Sequence, residues 1–377
     1  MPAVVTEQDR VHLRRALALA DGGRGRVSPN PLVGAVLVRD GEVIGEGFHA
    51  EVGGPHAEVA ALEDCRARGH DPAGATLFVT LEPCAHHGRQ PPCTGAILEA
   101  RIVRVVIASE DPSEKASGRG PGILRDEGIS VRLVDGEEAA TARLLNQAFR
   151  KHARTGRALV VLKSALSLDG RVATSGGDSR WISGEASRAR VHRWRAESDA
   201  VCVGIGTALS DDPLLTARGE RVGTARQPTR VVFDSKARLP LDSRLVGSIG
   251  EAALLVIASP AAPADRVRAL KAAGAEVVVC DGDPPARVAA ALGELGRRGV
   301  TSILLEGGPI LAGAFLDAGE VDELRLFIAP VVLGGARARP LAEGRGAARV
   351  AEAIPALAME WERSEEDLLV RARLREW

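Results

Sequence analysis

Three metal-seeking side chains set the tightest limit on how this chain can fold. They are one imidazole and two thiols, His56, Cys84 and Cys93. To share one ion, the start of a helix and two points beyond the next strand must meet within a few ångströms. The local pattern supplies those elements. Pro55 opens a helix over about 56–68, a strand follows at 76–80, and Glu82-Pro83-Cys84-Ala85-His86-His87-Gly88-Arg89-Gln90-Pro91-Pro92-Cys93 leads into a helix over about 92–100. Zinc prefers thiolate and imidazole, and a catalytic zinc keeps three protein ligands plus one water. Binding lowers that water's pKa from about 15.7 to about 7. Glu58 lies in the same first turn as His56, near the metal without having to ligate it, and is placed to carry a proton. One His, two Cys and a non-ligand Glu are the outfit of zinc deaminases, whose short signature ends in Pro-Cys-x-x-Cys. Here eight residues separate the two thiols, so the loop must fold back. A structural zinc is the other reading, and its fourth ligand could come from His86, His87 or Cys65. Cys65, Cys202 and Cys280 read as buried small hydrophobes.

The rest of the chain alternates helices and strands. A helix over 7–20 precedes strands at 33–38 and 42–48, joined at an Asp40-Gly41 turn that favours a hairpin. Strand 102–108, helix 120–127, strand 129–133 and one helix over 137–151 complete an α/β domain, 1–150, with helices on both faces. A basic stretch at 151–157 leads to a second α/β domain, 151–377. Its strands are expected at 158–165, 200–204, 229–233, 253–258, 276–280, 302–305 and 323–329, with a closing hairpin of 358–361 and 367–374. Helices are expected at 185–197, 310–318 and within 260–273 and 284–298. In Leu304-Leu305-Glu306-Gly307-Gly308-Pro309 a strand runs into a glycine turn and a helix start, a good seat for phosphate. Val203-Gly204-Ile205-Gly206-Thr207 is a second glycine pair after a strand. Neither has the Gly-x-Gly-x-x-Gly spacing of a dinucleotide fold.

Composition excludes some partners. With 377 residues and a net charge of −1, no basic field recruits nucleic acid or an anionic membrane. The absence of Tyr and an aromatic content of 3% argue against base-stacking platforms. No apolar run is long enough for a bilayer, and the N-terminus reads as an amphipathic helix rather than a signal peptide, so a cytoplasmic location is expected.

Pro29-Asn30-Pro31-Leu32-Val33-Gly34-Ala35-Val36, His49, Pro55-His56-Ala57-Glu58 and the segment Thr80–Cys93, with its His-His-Gly and Pro-Pro inside Cys-x8-Cys, together resemble the bifunctional riboflavin-biosynthesis deaminase/reductases. In the second half Lys163–Arg171, Ser179-Arg180-Trp181-Ile182, Asp211–Thr216 and Asp234-Ser235 are similar to that family's reductase motifs. The resemblance implies a cytidine-deaminase-like three-layer α/β/α domain followed by a dihydrofolate-reductase-like α/β domain. It implies zinc on His56, Cys84 and Cys93, Glu58 as the proton carrier, and substrate contacts from Asn30, His49, Arg89 and Asp111. It implies NADPH held by Ala165, Trp181, Thr207, Asp211, Ser235 and Gly308, Pro309, Ile310, Leu311, Ala312, Gly313 and Ala314. Lys163, Ser179, Arg195, Leu215, Arg218 and Glu306 would line the second substrate site. Chemically, Arg195 and Arg218 suit a sugar phosphate as forked donors, and Ser235 with Lys236 suits an adenosine 2′-phosphate. The implied reactions are zinc-assisted hydrolytic deamination of a phosphorylated ribosylaminopyrimidine, then reduction of its ribosyl chain to ribityl. A homo-oligomer, dimer or tetramer, is the family expectation. Residues 113–118 depart from the family's more apolar, Asn-Pro-containing loop at the deaminase rim. A deaminase acting on a free base, nucleoside or tRNA would use the same zinc site, but the second domain and the missing basic face speak against it.

Overall fold

The computed structural model describes residues 5–86, 90–113, 116–219 and 226–377. Its contacts divide the chain into two compact units, Met1–Thr155 together with Trp377, and Gly156–Glu376.

The first unit is a five-stranded sheet. Its strands are β1 (Gly34–Arg39), β2 (Glu42–Phe48), β3 (Thr76–Val79), β4 (Arg104–Ile107) and β5 (Ser130–Leu133), in the order β2-β1-β3-β4-β5. β1 is antiparallel to both β2 and β3, while β3, β4 and β5 run parallel. The central strands are apolar on both sides because both faces are covered. Ala35, Leu37, Leu77, Val79, Val105 and Ile107 pack on helices α2 (Ala57–Ala67), α3 (Cys93–Glu99) and α4 (Arg119–Asp126). Val36, Val38, Phe78 and Val106 pack on α1 (Glu7–Ala20) and α5 (Glu137–Leu145). The single helix expected over 137–151 is two, because the chain breaks at Asn146 before α6 (Gln147–Thr155). The Asn146 side chain is drawn off to bond the backbone of Leu32, accepting from its N–H at 2.8 Å and donating to its C=O at 2.9 Å. Two glycines bring α2 down onto β2: a Cβ on Gly45 or Gly47 would overlap the backbone of Ala61. That close approach fixes the start of α2, where His56 and Glu58 sit.

The second unit holds a nine-stranded sheet and a small two-stranded one. The strands are β6 (Leu159–Leu166), β7 (Arg171–Ala173), β8 (Ala200–Gly204), β9 (Thr229–Phe233), β10 (Leu254–Ala258), β11 (Glu276–Val279), β12 (Ser302–Leu305), β13 (Glu323–Ile328), β14 (Arg339–Pro340), β15 (Ala358–Ser364) and β16 (Asp367–Arg373). The large sheet runs β11-β10-β9-β8-β12-β6-β13-β16-β15, with β7 and β14 forming the small one. All pairings from β11 to β13 are parallel, and the β15–β16 hairpin closes the edge antiparallel. Helices cover both faces. Val160, Leu162, Cys202, Ile303 and Leu305 face α11 (Pro284–Arg297) and α12 (Pro309–Asp317). Val161, Val201, Val203, Val256 and Leu304 face α7 (Glu185–Glu197), α8 (Ile205–Asp211), α9 (Arg244–Gly247) and α10 (Ala264–Ala272). Sequence reading does not foresee β7, β14, α8 or α9. They are short, and tertiary contacts rather than periodicity hold them.

Candidate functional site

In the first unit the local fold gathers the metal-seeking side chains. His56 is the N-cap of α2, extended in backbone, and spends no side-chain bond on capping. Cys93 is the first residue of α3, after Pro92 at the N-cap. Cys84 lies in the segment between β3 and α3, whose start is anchored from α4: a Cβ on Gly120 would overlap the carbonyl of Pro83. His56 Nδ1 stands 3.2 Å from Cys93 Sγ and 3.6 Å from Cys84 Sγ, and the ligand atoms all lie within 4.8 Å of one another. Tetrahedral zinc with ordinary Zn–S and Zn–N bonds has ligand–ligand edges of roughly 3.5–3.8 Å. The donor set and its spacing therefore fit that ion. Among the described residues no fourth ligand joins the group: Cys65 sits in the core and donates to His70 O, His86 is exposed, and His87 lies outside the described residues.

The charges follow from this crowding. The Cys84 thiol is pulled down to about 4 by the Cys93 side chain, against its burial and with help from His56 and the Cys93 N–H at 3.3 Å. The same contact, with burial and Glu58, drives the Cys93 thiol up. Glu58 is buried, and burial pushes its carboxyl up to about 7. It is thus poised between its two forms near neutral pH, as a proton shuttle must be.

Asn30 and His49 lie beside this group. The His49 ring meets the His56 ring edge-on, centroids 5.4 Å apart. His49 Nδ1 donates to the carbonyl of Pro55 at 2.9 Å, so Nε2 accepts from Asn30 Nδ2 at 3.0 Å. The hydrogen-bond network leaves Asn30 Oδ1 as the acceptor. Asp111 is half-buried, its N–H bonds Glu82 and its carboxylate accepts from the N–H and hydroxyl of Ser113 at 2.8 and 2.7 Å. Its carboxylate therefore already holds its own loop. Arg89 lies outside the described residues, as do positions 114 and 115 of the atypical loop.

The second unit carries a cavity of about 1180 Å³ at the carboxyl ends of its parallel strands, where open α/β sheets bind ligands. Lys163, Ala165, Ser179, Trp181, Arg195, Thr207, Asp211, Leu215, Arg218, Ser235 and Glu306 all line it, with Gly308, Pro309, Ile310, Leu311 and Ala314. Ala312 and Gly313 do not. The helical period turns Ala312 into the core, and Gly313 is pressed on the carbonyl of Glu343. Gly204 and Gly308 are the N-caps of α8 and α12, which start side by side on neighbouring strands β8 and β12. Pro309 at N1 leaves the N–H groups of α12 pointing outward as an anion pole. This glycine-lined floor and the volume above it fit a dinucleotide cofactor with substrate beside it.

Two expectations change here. The Arg195 fork does not wait for a phosphate: Nε and Nη2 reach Glu306 at 2.6 and 3.0 Å, and Nη1 reaches Thr216 O at 3.2 Å. Burial alone would raise the Glu306 carboxyl, but Arg195 holds it below its usual range. Lys163, close to that pair, is depressed by burial. The other change is at Ser235. Lys236 is exposed and off the cavity, whereas Arg238 lines it. Sequence reading also misses Arg188 and His192, which the i, i+3 and i+4 spacing along α7 from Arg195 could have revealed. Trp181 is 74% exposed and stacks on Arg188 at 4.7 Å. Asp212 and Leu215, with φ of 39° and 55°, hold the loop after α8 in a left-handed conformation, a strain typical of functional loops.

Fold and site together define a class: a unit built like the zinc-dependent cytidine deaminases, joined to a reductase unit with a nucleotide-cofactor cavity. Comparison with known proteins agrees. Residues 6–109 match the cytidine and deoxycytidylate deaminase zinc-binding region, and residues 158–369 match the RibD C-terminal domain. The chain is 39% identical over 366 residues to the riboflavin biosynthesis protein RibD of Actinobacillus pleuropneumoniae, covering 97% of this chain and 95% of that one. It is 40% identical over 356 residues to RibD of Escherichia coli K12, with 92% and 94% covered. A solved structure of Acinetobacter baumannii RibD superposes with a TM-score of 0.86 at 36% identity, covering 97% of this chain and 99% of that one. The chain belongs to the RibD family, the bifunctional deaminase/reductases of riboflavin biosynthesis. Its deaminase region is of the zinc-binding kind and its reductase half is of the NADPH-dependent kind. No helix of the described residues is long and apolar enough to cross a membrane.

Proposed function

We propose that residues 1–150 deaminate 2,5-diamino-6-ribosylamino-4(3H)-pyrimidinone 5′-phosphate by hydrolysis. Residues 151–377 then reduce the ribosyl chain to ribityl with NADPH, giving 5-amino-6-ribitylamino-uracil 5′-phosphate. The reading of the substrate rests on family membership and on a neighbour from Thermotoga maritima, described as a diaminohydroxyphosphoribosylaminopyrimidine deaminase/5-amino-6-(5-phosphoribosylamino)uracil reductase. That structure superposes with a TM-score of 0.83 at 36% identity over 97% of this chain. The observation that carries the proposal is the cluster of His56, Cys84 and Cys93 with buried Glu58 beside it.

His56, Cys84 and Cys93 would hold the zinc, which when bound supplies a water acidified to near neutral pH. The Cys93 side chain, His56 and the Cys93 N–H hold the Cys84 thiol well below its usual range, which favours the thiolate a metal needs. Glu58, buried beside these side chains, would carry a proton from the attacking water to the departing amino group. Its raised carboxyl suits both halves of the task, since at pH 7 it is neither a spent base nor a lost acid. Asn30, held by His49, offers Oδ1 to a ring N–H or amino group. In the second unit NADPH supplies the hydride. Arg195 and Glu306 form a fixed buried pair that shapes the wall, and Lys163 contributes a donor beside the sugar. The protein works in the cytoplasm as a homo-oligomer.

The test is to follow ammonia release and NADPH absorbance together, with the zinc-loaded protein and the diaminopyrimidinone ribosyl phosphate. Ammonia without cofactor, then NADPH loss once it is added, is the expected order. Ammonia alone would leave a deaminase and remove the reductase half of the proposal.

A further inference from the structure

The cavity of the second unit contains a basic group that neither the family resemblance nor the reductase chemistry assigns. Helix α7 presents Arg188, Val191, His192 and Arg195 to it. His192 lines the cavity, and its buried Nδ1 has no hydrogen bond of ordinary geometry, the Thr216 carbonyl being the backbone group that its ring is drawn toward. The Thr216 hydroxyl oxygen is likewise buried and unbonded. An unsatisfied imidazole nitrogen at a ligand cavity calls for an explanation.

The surrounding charges indicate the ligand's sign. Arg195 is neutralised at short range by Glu306. Arg218 is not: among the described residues it makes no hydrogen bond or ion pair, and burial, Arg195 and Arg244 act against its charge, with Glu251 the smaller opposing influence. Every group that faces His192 can be named. From its own helix comes Arg195, from the loop after α8 come Arg218 and the Thr216 carbonyl, and from the end of β12 comes Glu306. Burial, then Arg195 and Arg218, hold the imidazole below its ordinary value, against the pull of Thr216 and Glu306. The site thus sets one guanidinium without an ion-pair partner beside one imidazole held toward its neutral form. An anion is the ligand that relieves the first and can charge the second.

We propose that His192 is a contact for the substrate's phosphate, standing with Arg218 and taking up a proton from solvent as the phosphate enters. This rests on the reductase reading of the cavity and adds to it a specificity-determining residue. The step is balanced as a simple protonation: Nε2 gains one proton from the buffer, and Nε2–H then donates to a phosphate oxygen. Since the Arg195 fork is committed to Glu306, His192 and Arg218 do what a pair of free arginines would otherwise do. The neutral resting form spares the cavity a further positive charge when no phosphate is present.

The experiment is calorimetric titration of inorganic phosphate into the NADPH-loaded full chain, in buffers of different ionisation enthalpy, for the wild type and His192→Gln. The wild type should take up close to one proton per phosphate near neutral pH. In His192→Gln that uptake should vanish and phosphate should bind about tenfold more weakly, the scale of one charge-assisted hydrogen bond. His192→Lys, with a standing charge, should keep the affinity and lose the proton uptake. The KM for the phosphorylated substrate should rise with the phosphate dissociation constant, while the KM for NADPH stays put. Unchanged proton uptake in His192→Gln would overturn the proposal, as would an equal loss of affinity for phosphate and NADPH. Phosphate binding is read without turnover. A wild type that binds phosphate but never oxidises NADPH would therefore sink the reductase reading and leave the His192 result standing.

Discussion

The two candidate sites are built in opposite ways. The first draws His56, Glu58, Cys84 and Cys93 from one continuous stretch of two helix starts and one strand end. The second collects side chains from the ends of β6, β8, β9 and β12, from one face of α7, and from the strained loop after α8. A metal demands a few hard-edged ligands at short range, which neighbouring elements can provide. An extended cofactor with its substrate needs a long wall, which only a whole sheet edge can provide. Damage to the first site should therefore be local and chemical, and damage to the second should spread into the packing.

The largest effect expected is Glu58→Gln. Loss of a positioned acid–base group costs about 10²–10⁴-fold, so ammonia release should collapse. NADPH oxidation of separately supplied deaminated substrate should stay within about twofold. Parallel loss of both activities would break the contrast between the units. Next is Glu306→Gln. It strands Arg195, whose side chain is 12% exposed, and breaking a buried pair costs roughly 3–5 kcal/mol. NADPH oxidation and the thermal midpoint of the second unit should fall together. A loss of activity at unchanged stability would recast Glu306 as purely catalytic.

Gly47→Ala should act on the first site without touching its chemistry. The new methyl group must push α2 off β2, at a cost of about 1–3 kcal/mol. Zinc content and ammonia release should drop while cobalt spectra of the residual loaded protein keep their thiolate bands. The smallest effect concerns pH. Burial would raise the Asp9 carboxyl, but Arg104 at 2.7 and 2.8 Å and the Thr6 N–H bring it below its usual value. A depressed carboxyl stabilises the fold above the unfolded value of about 3.9, and the benefit is lost as pH falls through the lower folded value. Asp9→Asn should therefore cost about 1 kcal/mol at pH 7, the size of a lost cap, and progressively less below about pH 4. A cost that persisted at low pH would show that Asp9 acts through α1 capping alone.

Much of the fold is legible in short-range rules. Short apolar runs on the strands, the Asp40-Gly41 turn and the helix starts at Thr6, His56 and Gly308 all follow patterns that span only a few residues. The exceptions have specific causes. The helix expected over 137–151 breaks because Asn146 finds a better partner in Leu32, more than a hundred residues away. Arg195 reads along its own helix as a free phosphate fork, but Glu306, at the end of a distant strand, occupies it. Ala312 and Gly313 fit the turn as a string of letters, but the helix carries them away from the cavity.

What the sequence determined alone is the chemistry it can hold: soft metal ligands, a carboxylate in the same helical turn, and a glycine turn before a helix start. These depend on residue type and on spacings within a turn or two, where backbone geometry leaves few choices. Which polar groups are already satisfied was decided only by the tertiary structure. Contacts between distant segments settle that Arg195 is spent on Glu306 and that His192 and Arg218 are left lining the cavity. The reason is that a donor's availability is a property of its neighbours in space, and those neighbours come from parts of the chain that no local pattern connects.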